Sequence, residues 1–390
     1  MDSESLVHAI FLIFTGAAIL ASLALYARQS LIIAYIFLGV LIGPWGLALV
    51  PEPEIIEDIA SVGIIFLLFL LGLDLDPHSL SNMFSKAMIT TLLSSLLFAG
   101  VGFVIALSFQ FGFIESVVIG ATMMFSSTIL GLKLLPTTVL HHRHLGEIII
   151  SVLLIQDLIA IFILIIFHGA SQGNDDLLFQ FGKLALTIPM IILLVFLIER
   201  YLLLPLIARF DTIREYIFLV ALGWCLGIAE LANYVGLSVE IGAFVAGIAL
   251  ARRPIAVYIA ESLRPLRDFF LVMFFFSLGA GFDLSMFTKV IIPAASLAVF
   301  VLIFKPLIFR WLLRKVAERP RTAKEAGFRL GQISEFSLLI TIIALQSGYI
   351  SAKASYVIQL ATLITFIFSS YYIVMKYPTP ISTSEKLRRD

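Results

Sequence analysis

The chain has 390 residues, 61% of them apolar and only 13% charged, with 26 basic side chains against 26 acidic ones. Ordinary soluble domains are about 45–50% apolar and about 25% charged. A soluble chain this poor in charge could not cover its own surface, so a cytosolic enzyme, a disordered chain and a nucleic-acid-binding protein are excluded. Mean hydropathy of +1.07, with long continuous apolar runs, points to an all-α polytopic membrane protein. A transmembrane barrel would instead alternate every second residue.

In chain order, the N-terminus (MDSESLVHAI) has no basic leader, so its first apolar run reads as a span and not as a removable signal. A span needs about 20 apolar residues to cross a hydrocarbon core of about 30 Å. Thirteen such runs are predicted, near 5–26, 31–50, 55–73, 87–111, 115–133, 146–168, 178–205, 214–233, 236–251, 266–282, 287–312, 325–347 and 352–375. Span 2 is interrupted by Gly39, Gly43, Pro44 and Gly46, of which Gly39 and Gly43 form a GxxxG close-approach motif. Span 5 has a polar centre at Ser126, Ser127 and Thr128. After it come His141, His142 and His144, read as a solvated inner-face cluster, with a pH sensor as the sharper alternative. Span 6 carries Gln156 and Asp157 in an otherwise apolar helix, and Cys225 in span 8 reads as a packing residue. Residues 254–264 read as an amphipathic surface helix. Lys305 lies inside span 11, and span 12 has a polar centre from Gln332 to Glu335. The longest polar loops, 74–86, 252–268 and 313–324, leave no room for a soluble domain.

Charge placement orients the chain. With the N-terminus outside and the C-terminus inside, 22 basic residues fall on the inner side, 3 on the outer side, and Lys305 stays within the membrane. An offset of seven spans pairs the Gly39–Gly43 segment with Gly242–Gly247. The same offset pairs the end of span 3 (Gly72, Asp74) with the end of span 10 (Gly281, Asp283), and the polar break of span 5 with that of span 12. An odd offset inverts topology. Inverted repeats with helices interrupted at matching positions point to a secondary transporter whose site lies between the breaks.

Asp157, Glu335 and Lys305 are the charges far from span ends. Each costs about 2.5–3.5 kcal/mol on insertion scales, which favours a bundle interior or an aqueous path. A midplane carboxylate can hold a proton or a metal cation, but not both at once, and that competition couples two fluxes. Hydroxyls and freed carbonyls of a broken helix supply the other oxygens, a part that Ser126, Ser127 and Thr128 fit. Their other reading is bonding back to the preceding helical turn. Glu335 either shares in ion handling or neutralises the exposed donors of a broken helix. Lys305 either serves the bundle interior or snorkels toward the inner face. No zinc, phosphate-loop or nucleophile–base pattern occurs in the sequence, so an enzyme is not expected.

Several segments together carry a family resemblance over nearly the whole chain. They are GVLIGPWG at 39–46, FLLFLLGLDLD at 66–76, FSST at 125–128, LIQD at 154–157, GLSVEIGAFVAG at 236–247 and GQISEF at 331–336. The chain resembles the monovalent cation:proton antiporters, and within them the Kef-type potassium/proton branch. The resemblance implies a thirteen-span inverted repeat with two crossed discontinuous helices. It implies an ion-binding core from spans near 87–168 and 287–375, a dimerisation scaffold from spans near 5–73 and 178–282, and elevator-like transport. Asp157 matches the family's cation- and proton-binding aspartate, with Gln156, Ser126, Ser127 and Thr128 around it and Glu335, Ser334 and Lys305 as supporting core. Two departures stand out. Ser334 replaces a common glycine, and the chain stops at Asp390 without the cytosolic nucleotide-binding domain usual in the branch.

Gln156 stands where sodium exchangers of this type tend to carry a second carboxylate. One carboxylate is a weaker ligand field, which favours K⁺ over Na⁺. It also implies one proton per cation, hence electroneutral exchange. The expectation is a homodimeric K⁺/H⁺ antiporter of a bacterial inner (plasma) membrane, with no cofactor and no nucleic-acid partner. Membrane lipids are its surroundings, and a cytosolic regulatory domain or subunit would be a separate partner. The rivals are a Na⁺/H⁺ antiporter and an uncoupled K⁺ channel of the same fold.

Overall fold

The computed structural model describes residues 3–27, 29, 31–50, 54–74, 84–133, 144–171, 177–210, 212–235, 237, 239–251 and 255–379. His141 and His142 lie outside the described residues, as do Asp76, Gly236 and the basic pair 252–253. The regular elements are helices. The chain divides into two compact units, one from Met1–Leu41, Leu80–Ile163 and Phe282–Asp390, the other from Ile42–Ser79 and Leu164–Gly281.

The first unit holds α1 (Ser3–Tyr26), most of α2 (Leu31–Ile42), α4 (Phe84–Ser108), α5 (Phe113–Thr122), α6 (Thr128–Lys133) and most of α7 (His144–Ser171). It also holds α13 (Phe287–Lys315), α14 (Pro320–Arg329), α15 (Glu335–Gln346) and α16 (Ala352–Lys376). Helix α4 shows why these sequences need a membrane. Its outward side is Ile89, Leu92, Leu93, Leu96 and Leu97, whereas Thr90, Thr91, Ser94 and Ser95 are buried. That is the reverse of a soluble amphipathic helix. Phe98 continues the buried face and meets Phe309 of α13, ring centres 5.4 Å apart.

The second unit holds α3 (Glu54–Asp74), α8 (Leu177–Ile198), α9 (Leu204–Arg209), α10 (Arg214–Tyr234), α11 (Val239–Ala251) and α12 (Ile255–Ala280). Phe66, Phe69, Trp224, Cys225, Ile241 and Leu250 belong to its core. Helices α3 and α11 touch backbone to backbone. A Cβ on Gly72 would stand 2.5 Å from the Phe244 carbonyl oxygen, and one on Gly247 would run into the Phe69 carbonyl. Both glycines belong to segments that the inverted-repeat reading singled out, and both are needed for close approach. Trp224 donates its indole N–H to the Ala246 carbonyl at 3.0 Å.

Seven helices among the described residues are long and apolar enough to cross a membrane, and five shorter apolar helices accompany them. Several predicted spans take a different form. Span 2 stops being helical at Ile42, because Gly43-Pro44 follows and proline removes a donor. Span 7 passes into a π turn at Glu199–Leu203 before α9, since Pro205 has no N–H for the preceding turn. The expected loop over 252–268 is largely helical from Ile255 onward. The amphipathic segment there runs into span 10 as one helix, burying Ala256, Ile259 and Leu263 and accommodating Pro265. The expected loop over 313–324 shortens to 316–319, because α14 begins at Pro320, a favourable first-turn residue.

Candidate site at two helix breaks

Two helices of the first unit are interrupted where the sequence is polar. Helix α5 ends at Thr122 and α6 starts at Thr128; α14 ends at Arg329 and α15 starts at Glu335. The two breaks meet. Ser126 donates its hydroxyl to the Leu330 carbonyl at 2.8 Å, and the Gln332 amide reaches the Ser127 carbonyl at 3.5 Å. Ser337 of α15 donates to the Thr122 carbonyl at 2.6 Å, closing the end of α5.

An interrupted helix leaves backbone groups that need partners inside a bilayer. Three side chains supply most of them. Gln156 accepts from the Ser126 N–H at 2.9 Å and donates to the Met124 carbonyl at 3.0 Å, so its amide stands in for a missing turn of backbone. Lys305 directs its amine at three carbonyls, Phe125 at 2.7 Å, Gln332 at 3.0 Å and Met123 at 3.2 Å, and thereby ties the breaks together. Its amine also lies 5.3 Å from the Phe98 ring centre. The side chain is fully buried and its amine points at the breaks. Gln332 donates to the Arg329 carbonyl at 2.9 Å and accepts from Ser369 at 3.2 Å, while Thr365 accepts from the Ile333 N–H at 3.1 Å.

Asp157 is 2% exposed on α7, one residue beyond Gln156. The Thr128 hydroxyl approaches both its carboxylate oxygens at 3.3 and 3.4 Å, long for an O–H···O bond. Ser127 is committed locally, its hydroxyl accepting from the Leu130 N–H at 3.1 Å as a cap on α6. Glu335 opens α15, where a carboxylate complements the positive helix end, and it lies within electrostatic reach of Asp157. Ser334 caps α15, accepting from the Phe336 N–H at 3.1 Å with φ −102° and ψ 155°. This extended conformation needs no glycine, so a serine fits the break. No ion pair joins Asp157 to Lys305 among the described residues.

All eight residues singled out from the sequence therefore lie at or beside the paired breaks. Sequence reasoning passed over Gln332 as a partner of Lys305, and also Thr365, Ser369 and Ser337. They are ordinary polar residues in apolar helices, with no motif to mark them. The helix end before the second break is anchored by Arg329, which bonds Glu325 at 3.0 Å and the Pro378 carbonyl at 2.9 Å. Burial pushes the phenol of nearby Tyr377 up to about 12, so it stays neutral at physiological pH.

A family model described as "Sodium/hydrogen exchanger, transmembrane" matches residues 10–375. Among curated proteins, the chain is 29% identical over 385 residues to the glutathione-regulated potassium-efflux system protein KefC of Klebsiella pneumoniae, covering 96% of this chain and 61% of that protein. It is 30% identical to KefC of Cronobacter sakazakii, with the same coverage of both. The chain thus spans about 61% of the length of these two relatives. Among solved structures, the sodium proton antiporter MjNhaP1 of Methanocaldococcus jannaschii superposes with a TM-score of 0.70 at 18% identity. The match covers 96% of this chain and 97% of that one, and it shows the same fold. With the model match running over nearly every helix around the paired breaks, this multi-pass membrane chain belongs to the sodium/hydrogen exchanger family of cation:proton antiporters.

Proposed function

We propose that this chain is a secondary active K⁺/H⁺ antiporter in which the cation and the proton compete for Asp157. The observation that carries the reading is a carboxylate buried beside two abutting helix breaks, with a hydroxyl at long range from both its oxygens. A loosely held carboxylate can exchange its hydroxyl partner for a cation or accept a proton. Protonation cancels the charge that attracts the cation, so one occupant displaces the other. Thr128 is the first additional ligand, with Ser126 and Ser127 lining the same break. Gln156 and Lys305 act on the backbone, holding the break open and in register. Two things favour K⁺: the single carboxylate at the Gln156–Asp157 pair, and the potassium-efflux names of the curated relatives. The sodium-antiporter name of the structurally similar protein motivates Na⁺/H⁺ exchange as the second reading.

The finer architecture belongs to the same proposal. The spans near 87–168 and 287–375, which carry the site, act as the moving core. Spans near 5–73 and 178–282 form the scaffold and the homodimer contact. Thirteen spans run N-out to C-in in a bacterial inner membrane, and a cytosolic domain or subunit regulates exchange.

The test is a proteoliposome assay with a pH-sensitive dye. An imposed K⁺ gradient should drive opposing proton movement, and Asp157→Asn should abolish it while leaving a folded dimer. Larger signals with Na⁺ than with K⁺ would select the sodium reading, and K⁺ flux without a proton signal would select a channel. Coupled exchange surviving in Asp157→Asn would remove Asp157 from the mechanism.

A further inference from the structure

Helix α13 has 29 residues and so extends about 43 Å at 1.5 Å per residue, well beyond a hydrocarbon core of about 30 Å. Part of it must then reach the headgroup region, and Trp311 with the basic residues Arg310, Arg314 and Lys315 marks the C-terminal turns as that part. One line of this helix stays open to the surroundings: Ile303, Phe304, Leu307 and Trp311 are 49–56% exposed. At its end lies a groove of about 520 Å³ lined by Leu307, Arg310, Trp311, Arg314 and Lys315. Lys315 lies 5.8 Å from the Trp311 ring centre, so the indole and the ammonium face the same space.

The three cations have no carboxylate partner among the described residues. The next acid along the chain, Glu318, is engaged by His144 at 2.8 Å. On α14, by contrast, Arg329 is paired with Glu325 at 3.0 Å. The helix C-terminus carries about half a negative charge, which offsets one cation at most. A surplus of positive charge thus stands directly above a lipid-facing apolar stripe, with a tryptophan at the depth where aromatic side chains mark the interface.

We propose that this groove binds one anionic phospholipid. Its phosphate lies among Arg310, Arg314 and Lys315, its glycerol region against Trp311, and an acyl chain along Leu307, Phe304 and Ile303. Arginine suits phosphate because its planar donors can bond two oxygens at once. The site requires only that this end of α13 meets a membrane surface, and it stands independently of which ion is exchanged.

The experiment follows thermal unfolding of the purified chain in neutral detergent. Phosphatidylglycerol, phosphatidylcholine with the same acyl chains, or inorganic phosphate is titrated in. Phosphatidylglycerol should raise the unfolding midpoint saturably, and phosphatidylcholine and phosphate should not. In Arg310→Gln/Arg314→Gln/Lys315→Gln the half-effect concentration should rise about a hundredfold, at roughly fivefold per basic side chain near a membrane surface. A charge-matched Arg209→Gln/Arg214→Gln/Arg264→Gln control should respond as the unaltered chain does. If the triple variant does not fold, Arg314→Gln alone should show about a fivefold shift. Native mass spectrometry of the unaltered chain should then retain phosphatidylglycerol over phosphatidylcholine. Equal stabilisation or retention with phosphatidylcholine, a full response to inorganic phosphate, or an unchanged response in the basic-residue variants would each overturn the assignment.

Discussion

Gln156 precedes the buried acid, and its neighbour's chemistry makes it look like a cation ligand. Both ends of its amide are instead spent on backbone, the Ser126 N–H and the Met124 carbonyl. Gln156→Leu would orphan both groups at about 1–3 kcal/mol each. Gln156→Glu, in its neutral form, keeps an acceptor for Ser126 and an O–H donor for Met124, at the cost of holding a second carboxyl protonated in the core. The expected order of unfolding temperatures in detergent is therefore unaltered chain, Gln156→Glu, Gln156→Leu. A Gln156→Leu protein as stable as its parent would show that the amide does not brace the break. Lys305 works the same way on a larger scale. Lys305→Met removes the donor from three buried carbonyls, at about 1–3 kcal/mol for each. Its unfolding midpoint should fall further than that of Gln156→Glu, and an unchanged midpoint would argue against a clamp.

At the scale of elements, the polar residues at 126–128 and 332–335 stand where the helices stop. The reason is physical: serine and threonine offer the backbone local partners, which favours helix ends over interiors. Prolines made three of the other departures, at Pro44, Pro205 and Pro320, through the lost donor and the fixed φ. The end of α13 contains a correctable strain. Ala317 has φ +67° just past the helix, in a turn closed by Glu318 N–H to the Leu313 carbonyl at 3.1 Å. That left-handed position favours glycine. Ala317→Gly should stabilise the chain by about 1 kcal/mol, seen as a higher unfolding midpoint with no change in transport rate. A lower midpoint would mean that the methyl group packs usefully.

For the whole molecule, the balance of 26 basic and 26 acidic residues conceals a strong sorting by predicted side, with 22 basic residues inside against 3 outside. Were the single carboxylate of the Gln156–Asp157 pair the one titrating group of the cycle, one proton would be exchanged per cation. Exchange in proteoliposomes should then proceed at a rate independent of an imposed membrane potential, measured with valinomycin-free potential clamps of either sign. A rate that follows the potential would require a second titrating charge in the cycle, with buried Lys305 and Glu335 as the candidates.

Composition alone determined the class, because so few charges cannot solvate a chain of this length. The short motifs then located the candidate site, because a charged or hydroxyl-rich stretch inside an apolar run is expensive enough in a membrane to be noticed residue by residue. The partners of those residues were decided only by tertiary structure. The bond from Ser126 to Leu330 joins positions 204 apart, and that from Lys305 to Phe125 joins positions 180 apart. No local pattern encodes such pairings. Which carbonyl a lysine reaches, and whether a glutamine binds an ion or mends a helix, depends on which broken ends the fold brings together.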